Sequence, residues 1–346
     1  MKPIKNLYFF LCTGKIRYTV FAFVLLSLAA CEKKETPFVL PSKPLDSVRI
    51  SQFDLGEKYE NQIFVNFLDS NPIRANINGD SWDLSFDCSP GGYRVYMNGG
   101  KGNLLAAIGV HKFRPDVNMN NVMWRWDESS GGDSIVLNRW CNPIQSYSFD
   151  SVYLIDRGID ANPDRRYFQF KLKPETFNTY IIDVADLNGV WLYSTKIIKD
   201  PSKNLVYFDF GKPAILNFEP CNQSWHFCFL RYRYIYYQFN PPLLYYVTGI
   251  HINPRTVCVA IDSSLVFENI KLTQVEELNY SSRRDAMGFD WKVYDFTKGK
   301  YIARRYVNFI LKTKGPNPQY YKLRFTDFYS NHGVKGSPKY ELARIK

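Results

Sequence analysis

The chain repeats itself, and this repeat constrains its architecture more than any other feature of the sequence. Five segments recur in the same order in the two halves, shifted by about 140 residues: NQIFVNF (61–67) and NLVYFDF (204–210), SWDLSF (81–86) and SWHFCF (224–229), GVH (109–111) and GIH (249–251), VYLIDRG (152–158) and VYDFTKG (293–299), RRYFQFKL (165–172) and RRYVNFIL (304–311). Self-similarity at a nearly constant spacing indicates a duplicated structural unit. We therefore predict two tandem units, residues 50–192 and residues 193–346.

The composition indicates that both units consist of β-strands. Of the 346 residues, 17% are aromatic, and aromatic and β-branched residues fit the pleated surface of a sheet. Heptad repeats and long amphipathic helical stripes are absent. YVNFILKTKGPNPQYYKLRFTDFY (306–329) is typical of a hairpin, because KGPNP (314–318) supplies turn residues between two alternating runs. We predict an all-β fold of two antiparallel, sandwich-like units.

One strand of the second unit differs from its counterpart in the first unit. In SWDLSFD (81–87), the apolar side chains alternate with polar ones, as in a half-buried strand. In SWHFCFLRYRYIYY (224–237), the same apolar face is kept, but the other face also becomes apolar and aromatic. We therefore expect this second face to be covered by more protein, by a membrane or by a flat ligand.

The amino terminus is typical of an export signal. Basic residues precede the apolar run YTVFAFVLLSLAA, which ends at Ala30 and, at about 13 residues, is shorter than the roughly 20 needed to span a membrane. Leu28-Ala29-Ala30-Cys31 resembles the lipobox of bacterial lipoproteins, which implies cleavage before Cys31 and acylation of its thiol. An ordinary signal peptide with a chance cysteine is the alternative. We predict a signal peptide over residues 1–30, then the lipidated Cys31 and a proline-rich, charged tether over residues 31–49.

The carboxyl-terminal part of the chain carries a family resemblance. YYKLRFTDFYSNHGVKGSPKYELARI (320–345), together with the W-D-L-x-F strand and the lipobox, resembles the HmuY family of Gram-negative lipoproteins. The resemblance implies an outer-membrane lipid anchor, exposure at the cell surface, capture of haem from host proteins and delivery to a TonB-dependent receptor. Histidines or methionines hold the haem iron in that family. DFTKG (295–299) matches a loop that carries a ligand histidine, and Lys298 stands at that position.

Three residues are candidate haem ligands. His111 and His251 occupy the same repeat position, so a two-fold arrangement of the units would bring two imidazoles together on the two faces of a haem. Met287 is the candidate that the family's use of methionine suggests in the segment 267–291. Histidines satisfied at strand edges, and a methionine in an ordinary loop, are the structural alternatives.

Tyrosines on and after the unusual strand are candidates for a ligand pocket, since each offers a broad apolar face and a polar tip. The predicted pocket residues are Tyr232, Tyr234, Tyr236, Tyr245 and Tyr246. Such a pocket suits haem, a related flat hydrophobic ligand or a sugar ring. A surface module that binds protein or glycan, with the same fold and no haem, is therefore the second functional hypothesis. A proline-stiffened loop that only covers the core is the structural alternative for 238–249.

Other functions have little support in the sequence. The nucleophile-elbow, zinc-protease, P-loop and dinucleotide motifs are absent, and we predict neither catalytic residues nor a protein-held metal ion. The formal charge of +11 is spread along the chain in short runs, which does not favour binding of nucleic acid by an exported protein. Five cysteines remain after residue 31, an odd number whose pairing the sequence leaves open.

Overall fold

Alternating side chains produce β-strands in both halves of the described chain. The computed structural model describes residues 47–145 and 147–346, which belong to one compact unit. The predicted signal peptide, Cys31 and all but the end of the predicted tether lie outside these residues. The tether prediction extends to residue 49, where the first strand already begins.

The first half of the described chain contains twelve strands. They are β1 (Arg49–Gln52), β2 (Asn61–Val65), β3 (Ile73–Asn78), β4 (Leu84–Asp87), β5 (Val95–Met97), β6 (Leu104–Val110), β7 (Cys141–Asn142), β8 (Tyr147–Ser148), β9 (Ser151–Asp156), β10 (Tyr167–Thr176), β11 (Thr179–Ala185) and β12 (Trp191–Ile198). Three short 3-10 helices interrupt them, at Gly79–Ser81, Met119–Asn121 and Pro163–Arg165.

The second half adds ten strands and little helix. The strands are β13 (Leu205–Asp209), β14 (Ala214–Leu216), β15 (Phe227–Tyr236), β16 (Leu243–Ile252), β17 (Val257–Asp262), β18 (Lys292–Asp295), β19 (Lys300–Ala303), β20 (Asn308–Thr313), β21 (Tyr320–Tyr329) and β22 (Lys335–Arg344). A 3-10 helix at Phe267–Asn269 precedes the one-turn helix α1 (Leu272–Val275). The predicted all-β class is thus confirmed, and β20 and β21 form the hairpin expected around KGPNP.

The strands build two antiparallel sandwiches. In the first sandwich, the sheet β12-β11-β10-β9-β6 packs on β14-β13-β4-β5 around a core that includes Phe86, Phe170 and Phe208. In the second sandwich, the sheet β1-β22-β21-β20-β17 packs on β16-β15-β2-β3 around a core that includes Phe229 and Phe325. The short hairpins β7–β8 and β18–β19 stand outside these four sheets.

The two repeats exchange equivalent strands. β2, from NQIFVNF, pairs with β15 of the second repeat, while its counterpart β13, from NLVYFDF, pairs with β4 of the first repeat. β1 likewise pairs with β22, the last strand of the chain. Strands of both predicted ranges, 50–192 and 193–346, therefore contribute to each sandwich.

The topology supports some of the sequence matches and not others. β10 and β21 are the central strands of the two five-stranded sheets, so β20, from RRYVNFIL, takes the place of β9 rather than that of β10. VYDFTKG, the sequence match of β9, lies in the separate hairpin β18–β19. The GVH segment ends β6 beside β9, and the GIH segment lies in β16 beside β15. Strand alternation makes short segments alike wherever they lie, which explains the three false matches.

Protein covers part of the second face of β15, where Cys228 and Tyr232 are buried, while Tyr234 and Tyr236 stay partly exposed. The inner sheets of the two sandwiches meet, and Arg231 Nε donates to the carbonyl of Gly100 at 2.7 Å while Trp82 Nε1 donates to Gln62 at 3.2 Å. Gly100 permits this approach, because a Cβ there would lie 2.2 Å from the carbonyl oxygen of Arg231. The prediction that the segment 81–87 is a half-buried strand is wrong, because the contact between the inner sheets also covers its polar face. Asp83 on that face has no exposed surface.

Candidate functional site

A wide groove opens on the second sandwich, between the distal part of the β15–β16 hairpin and the β18–β19 hairpin. Its volume is about 940 Å³. Ten aromatic side chains line this aromatic groove: Tyr59, Tyr236, Phe239, Tyr245, Tyr246, Phe289, Tyr294, Phe296, Tyr301 and Phe328.

The groove exists because the β15–β16 hairpin extends beyond the sheet that carries it. β2 pairs with residues 227–229 only, while β15 and β16 remain paired through Tyr236 and Leu243. The far half of the hairpin therefore has no β2 neighbour, and Phe239, Tyr245 and Tyr246 are exposed there. Contiguous exposed apolar side chains of this kind mark binding surfaces in folded proteins.

Aromatic contacts hold the groove wall in place. Tyr236 lies edge-to-face with Phe239, Tyr245 and Phe289, with ring centroids 6.2–6.5 Å apart. Such tilted contacts are favourable and leave ring faces free for another flat group. On the opposite wall, Phe296 at the tip of the β18–β19 hairpin is 89% exposed.

Basic side chains outnumber acidic ones around the aromatic groove. Five basic residues line it, and two acidic ones: Lys58, Lys101, Arg231, Lys292 and Arg304 against Asp160 and Asp290. Arg231 already pairs with Asp80 and Lys101 with Asp83. Lys292 instead donates to the carbonyl of Thr248 and lies against the rings of Trp291 and Phe328, and its burial lowers its pKa to about 7.

The structure brings three of the five predicted pocket tyrosines together. Tyr236, Tyr245 and Tyr246 line the aromatic groove. Tyr234 points to the neighbouring pocket, where it contacts Phe289 at a ring-centroid distance of 4.9 Å. Tyr232 is buried, and its ring packs against His251 of the same hairpin.

The two candidate histidines do not form a haem-binding pair. His111 follows β6 of the first sandwich, is mostly exposed and has Nδ1 3.1 Å from a carboxylate oxygen of Asp150. His251 lies in β16 against the ring of Tyr232, at 4.6 Å, and burial lowers its pKa well below the ordinary value. The two lie in different sandwiches and line no common cavity, because β6 and β16 occupy different sheet positions.

Met287 is a core residue. It is 2% exposed and packs within the core of the second sandwich, so its thioether is not presented to the aromatic groove. Lys298, at the position where the family has a ligand histidine, lies 3.6 Å from Asp295 and does not line the groove either.

Sequence reasoning missed the wall that faces the tyrosines. Phe289, Tyr294 and Phe296 contribute to that wall. The only sequence signal for it is the aromatic segment VYDFTKG (293–299), which contains Tyr294 and Phe296. The five cysteines in the described part of the chain are all free thiols. Within residues 47–145 and 147–346, no cluster of three or more histidine, cysteine or acidic side chains is arranged for a metal ion.

Comparison with protein-family models, curated proteins and solved structures finds no match for this chain. Over the described residues, the chain has no helix of the length and apolarity that crossing a membrane requires. The aromatic groove is therefore the feature of the described chain that best indicates a ligand.

Proposed function

We propose that the aromatic groove binds a flat, largely apolar ligand that carries carboxylate groups, and that haem is this ligand. The observation that carries the proposal is the open groove of about 940 Å³ with ten aromatic side chains around it. Ligand sites are typically clefts of about 300–1,000 Å³ with mostly apolar walls and a few polar groups. A porphyrin matches such a cleft in its flatness and its apolar faces.

The charges around the groove suit the acidic edge of a porphyrin. Arg304 and Lys58 line the groove and form no ion pair among the described residues, so both are available to a carboxylate. Hydrogen bonds between an ionised donor and an ionised acceptor are about twice as strong as neutral ones. The basic side chains would therefore orient a ligand whose rings stack on the tyrosines.

The ligation of the iron would differ from that of the HmuY family. No histidine or methionine of the described chain lines the aromatic groove. A tyrosine phenolate can hold haem iron, and Tyr236, Tyr245 and Tyr246 supply phenol groups. We therefore propose a haem that is held by stacking and, at most, one tyrosine oxygen.

The location and partners follow from the sequence resemblances. A lipid on Cys31 would anchor the protein in the outer membrane at the cell surface, where it would take haem from a host haem protein. A TonB-dependent outer-membrane receptor would then receive the haem. Retention without strong axial ligands favours such a transfer, because fewer coordinate bonds must break.

Haemin titration of the purified full-length protein tests the proposal. We expect a saturable change of the Soret band with a high-spin spectrum, and about tenfold weaker binding for Tyr245→Ala, since the loss of one stacked ring is worth roughly 1.4 kcal/mol. Tyr237→Ala is the matched control, because Tyr237 is an exposed tyrosine of the same hairpin that donates to Glu128 outside the groove. A spectrum that shows no saturable change would refute haem binding.

A glycan is the second candidate. Gln238, Asp160 and Asp290 lie among the aromatic rings of the groove, and sugar sites combine aromatic platforms with amide and carboxylate groups that bond hydroxyls. A glycan array probed with the full-length protein separates the two ligands. Glycan binding that Tyr245→Ala abolishes, with no haemin response, would favour a surface interaction module.

A further inference from the structure

A second cavity, separate from the aromatic groove, lies where the inner sheets of the two sandwiches meet. We name it the inter-sheet cavity, and its volume is about 290 Å³. Its walls include Trp82, Tyr96 and Tyr207 from the first sandwich and Phe64, Trp225 and Tyr232 from the second. Both exchanged strands contribute to it, since Phe64 lies in β2 and Tyr207 in β13.

The walls consist of fixed aromatic pairs. Trp82 and Tyr207 meet edge-to-face with their centroids 5.0 Å apart, and Phe64 and Trp225 do the same at 5.0 Å on the other side. An engineered apolar cavity of about 150 Å³ holds one benzene ring. The inter-sheet cavity has roughly twice that volume and therefore has room for two fused rings.

Four buried polar atoms around this cavity have no hydrogen-bond partner. They are Ser85 Oγ, Asn204 Oδ1, Trp225 Nε1 and His251 Nε2, and all four residues line the cavity. Ser85 is 1% exposed and Trp225 is 6% exposed. More than nine in ten buried polar groups are paired in folded proteins, so four unpaired groups around one cavity indicate a site for a polar ligand.

The unpaired atoms also specify the polarity of that ligand. The indole N–H of Trp225 can only donate and the amide oxygen of Asn204 can only accept, while Ser85 and His251 can do either. A matching ligand must carry both an acceptor and a donor. Glu219 also lines the cavity, and its carboxyl oxygens accept hydrogen bonds from Asn204 N and the Tyr207 hydroxyl, both at 2.9 Å. Burial raises the pKa of Glu219 to about 7. Because its oxygens already have partners, Glu219 does not require a cationic ligand.

We infer that the inter-sheet cavity binds a neutral nitrogen heterocycle of two fused rings, such as a purine base. Its rings would fill the space between the aromatic pairs, and its edge would bond to Trp225, Asn204 and Ser85. The rim includes the exposed Pro254 and the half-buried Arg255, which gives the cavity a side near solvent. This site is independent of the proposed haem groove and shares only Gly100 and Arg231 with it.

Titration of the full-length protein with adenine tests the inference, with naphthalene as a probe of the same size that lacks polar atoms. We expect adenine to quench tryptophan fluorescence saturably and to raise the melting temperature, and naphthalene to bind at least tenfold more weakly. Absence of adenine binding at millimolar concentration, or equal binding of the two probes, would overturn the inference, because water or a purely apolar guest would then account for the cavity.

Two tryptophan variants test whether adenine binds in the inter-sheet cavity. Trp225→Phe keeps a ring and removes the donor, so we expect adenine to bind about 3- to 10-fold more weakly. Trp291→Phe is the matched control, because the Trp291 N–H is also buried and unpartnered but lies away from the cavity. Equal losses in both variants would contradict the assignment. The wild-type titration remains decisive if Trp225→Phe does not fold, and haemin present in excess should leave adenine binding unchanged.

Discussion

Replacement of Asp83 by asparagine should destabilise the protein severely. Asp83 is completely buried, and its Oδ2 accepts bonds from Arg157 Nε at 2.7 Å and from the backbone N–H of Phe210 at 2.8 Å. Its Oδ1 accepts a bond from Lys101 Nζ at 2.5 Å. Although burial alone would raise the pKa of Asp83, the charges of Lys101 and Arg157 lower it below the ordinary 3.8. The folded protein therefore contains a carboxylate held between two cations.

The size of the effect follows from what remains after the change. Asp83→Asn leaves Lys101 without a carboxylate and leaves Arg157 with Asp209 alone, at 2.7 Å. Removal of one partner from a buried ion pair costs about 3–5 kcal/mol, because the other charge stays buried without compensation. Asparagine retains the volume and one acceptor, so we expect the lower end, about 3 kcal/mol, or more than a hundredfold in the folding equilibrium.

Urea unfolding followed by far-UV circular dichroism measures this loss. The matched control is Asp133→Asn, which removes the surface pair between Asp133 and Arg94, also 2.7 Å long. Surface pairs contribute less than about 1 kcal/mol. If the two variants lose equal stability, Asp83 does not hold a buried ionic network. Because the folded pKa of Asp83 is depressed, its contribution should persist at neutral pH and decline as the pH falls below about 3.8.

Three further results are expected. The pKa of Glu219 is about 7 in the folded protein and 4.5 ordinarily, so the free energy of unfolding falls as the pH rises between these values. The urea midpoint of Glu219→Gln should therefore rise relative to that of the wild type between about pH 5 and about pH 8. Burial lowers the pKa of His226 to about 4, so protonation of this imidazole in the unfolded state destabilises the folded protein below about pH 6.5. His226→Phe keeps a ring against Phe67 and should reduce the loss of stability in acid. Met287→Leu should cost less than about 1.5 kcal/mol and leave the haemin spectrum unchanged, whereas a spectral change would make Met287 a ligand.

His226 and Asp83 illustrate how the repeats diverged in the structure. The two residues align in the sequence, and both are buried. Asp83 lies among cations, whereas the ring of His226 lies 4.2 Å from that of Phe67. The sequence shows the exchange of an acid for an imidazole, but the partners of each come from distant strands and cannot be read from the local pattern.

The period-two alternation of side chains was enough to predict the strands, the all-β class and the β20–β21 hairpin, because these depend on neighbours close in the chain. The exposed Tyr245 and Tyr246 were also predictable as pocket residues. In contrast, only the tertiary structure decides that β2 pairs with β15 and β13 with β4. Backbone hydrogen bonds are the same for every strand, so the choice of partner depends on packing between residues far apart in sequence. The burial of Met287, the separation of His111 from His251 and the inter-sheet cavity likewise depend on packing between residues far apart in the chain.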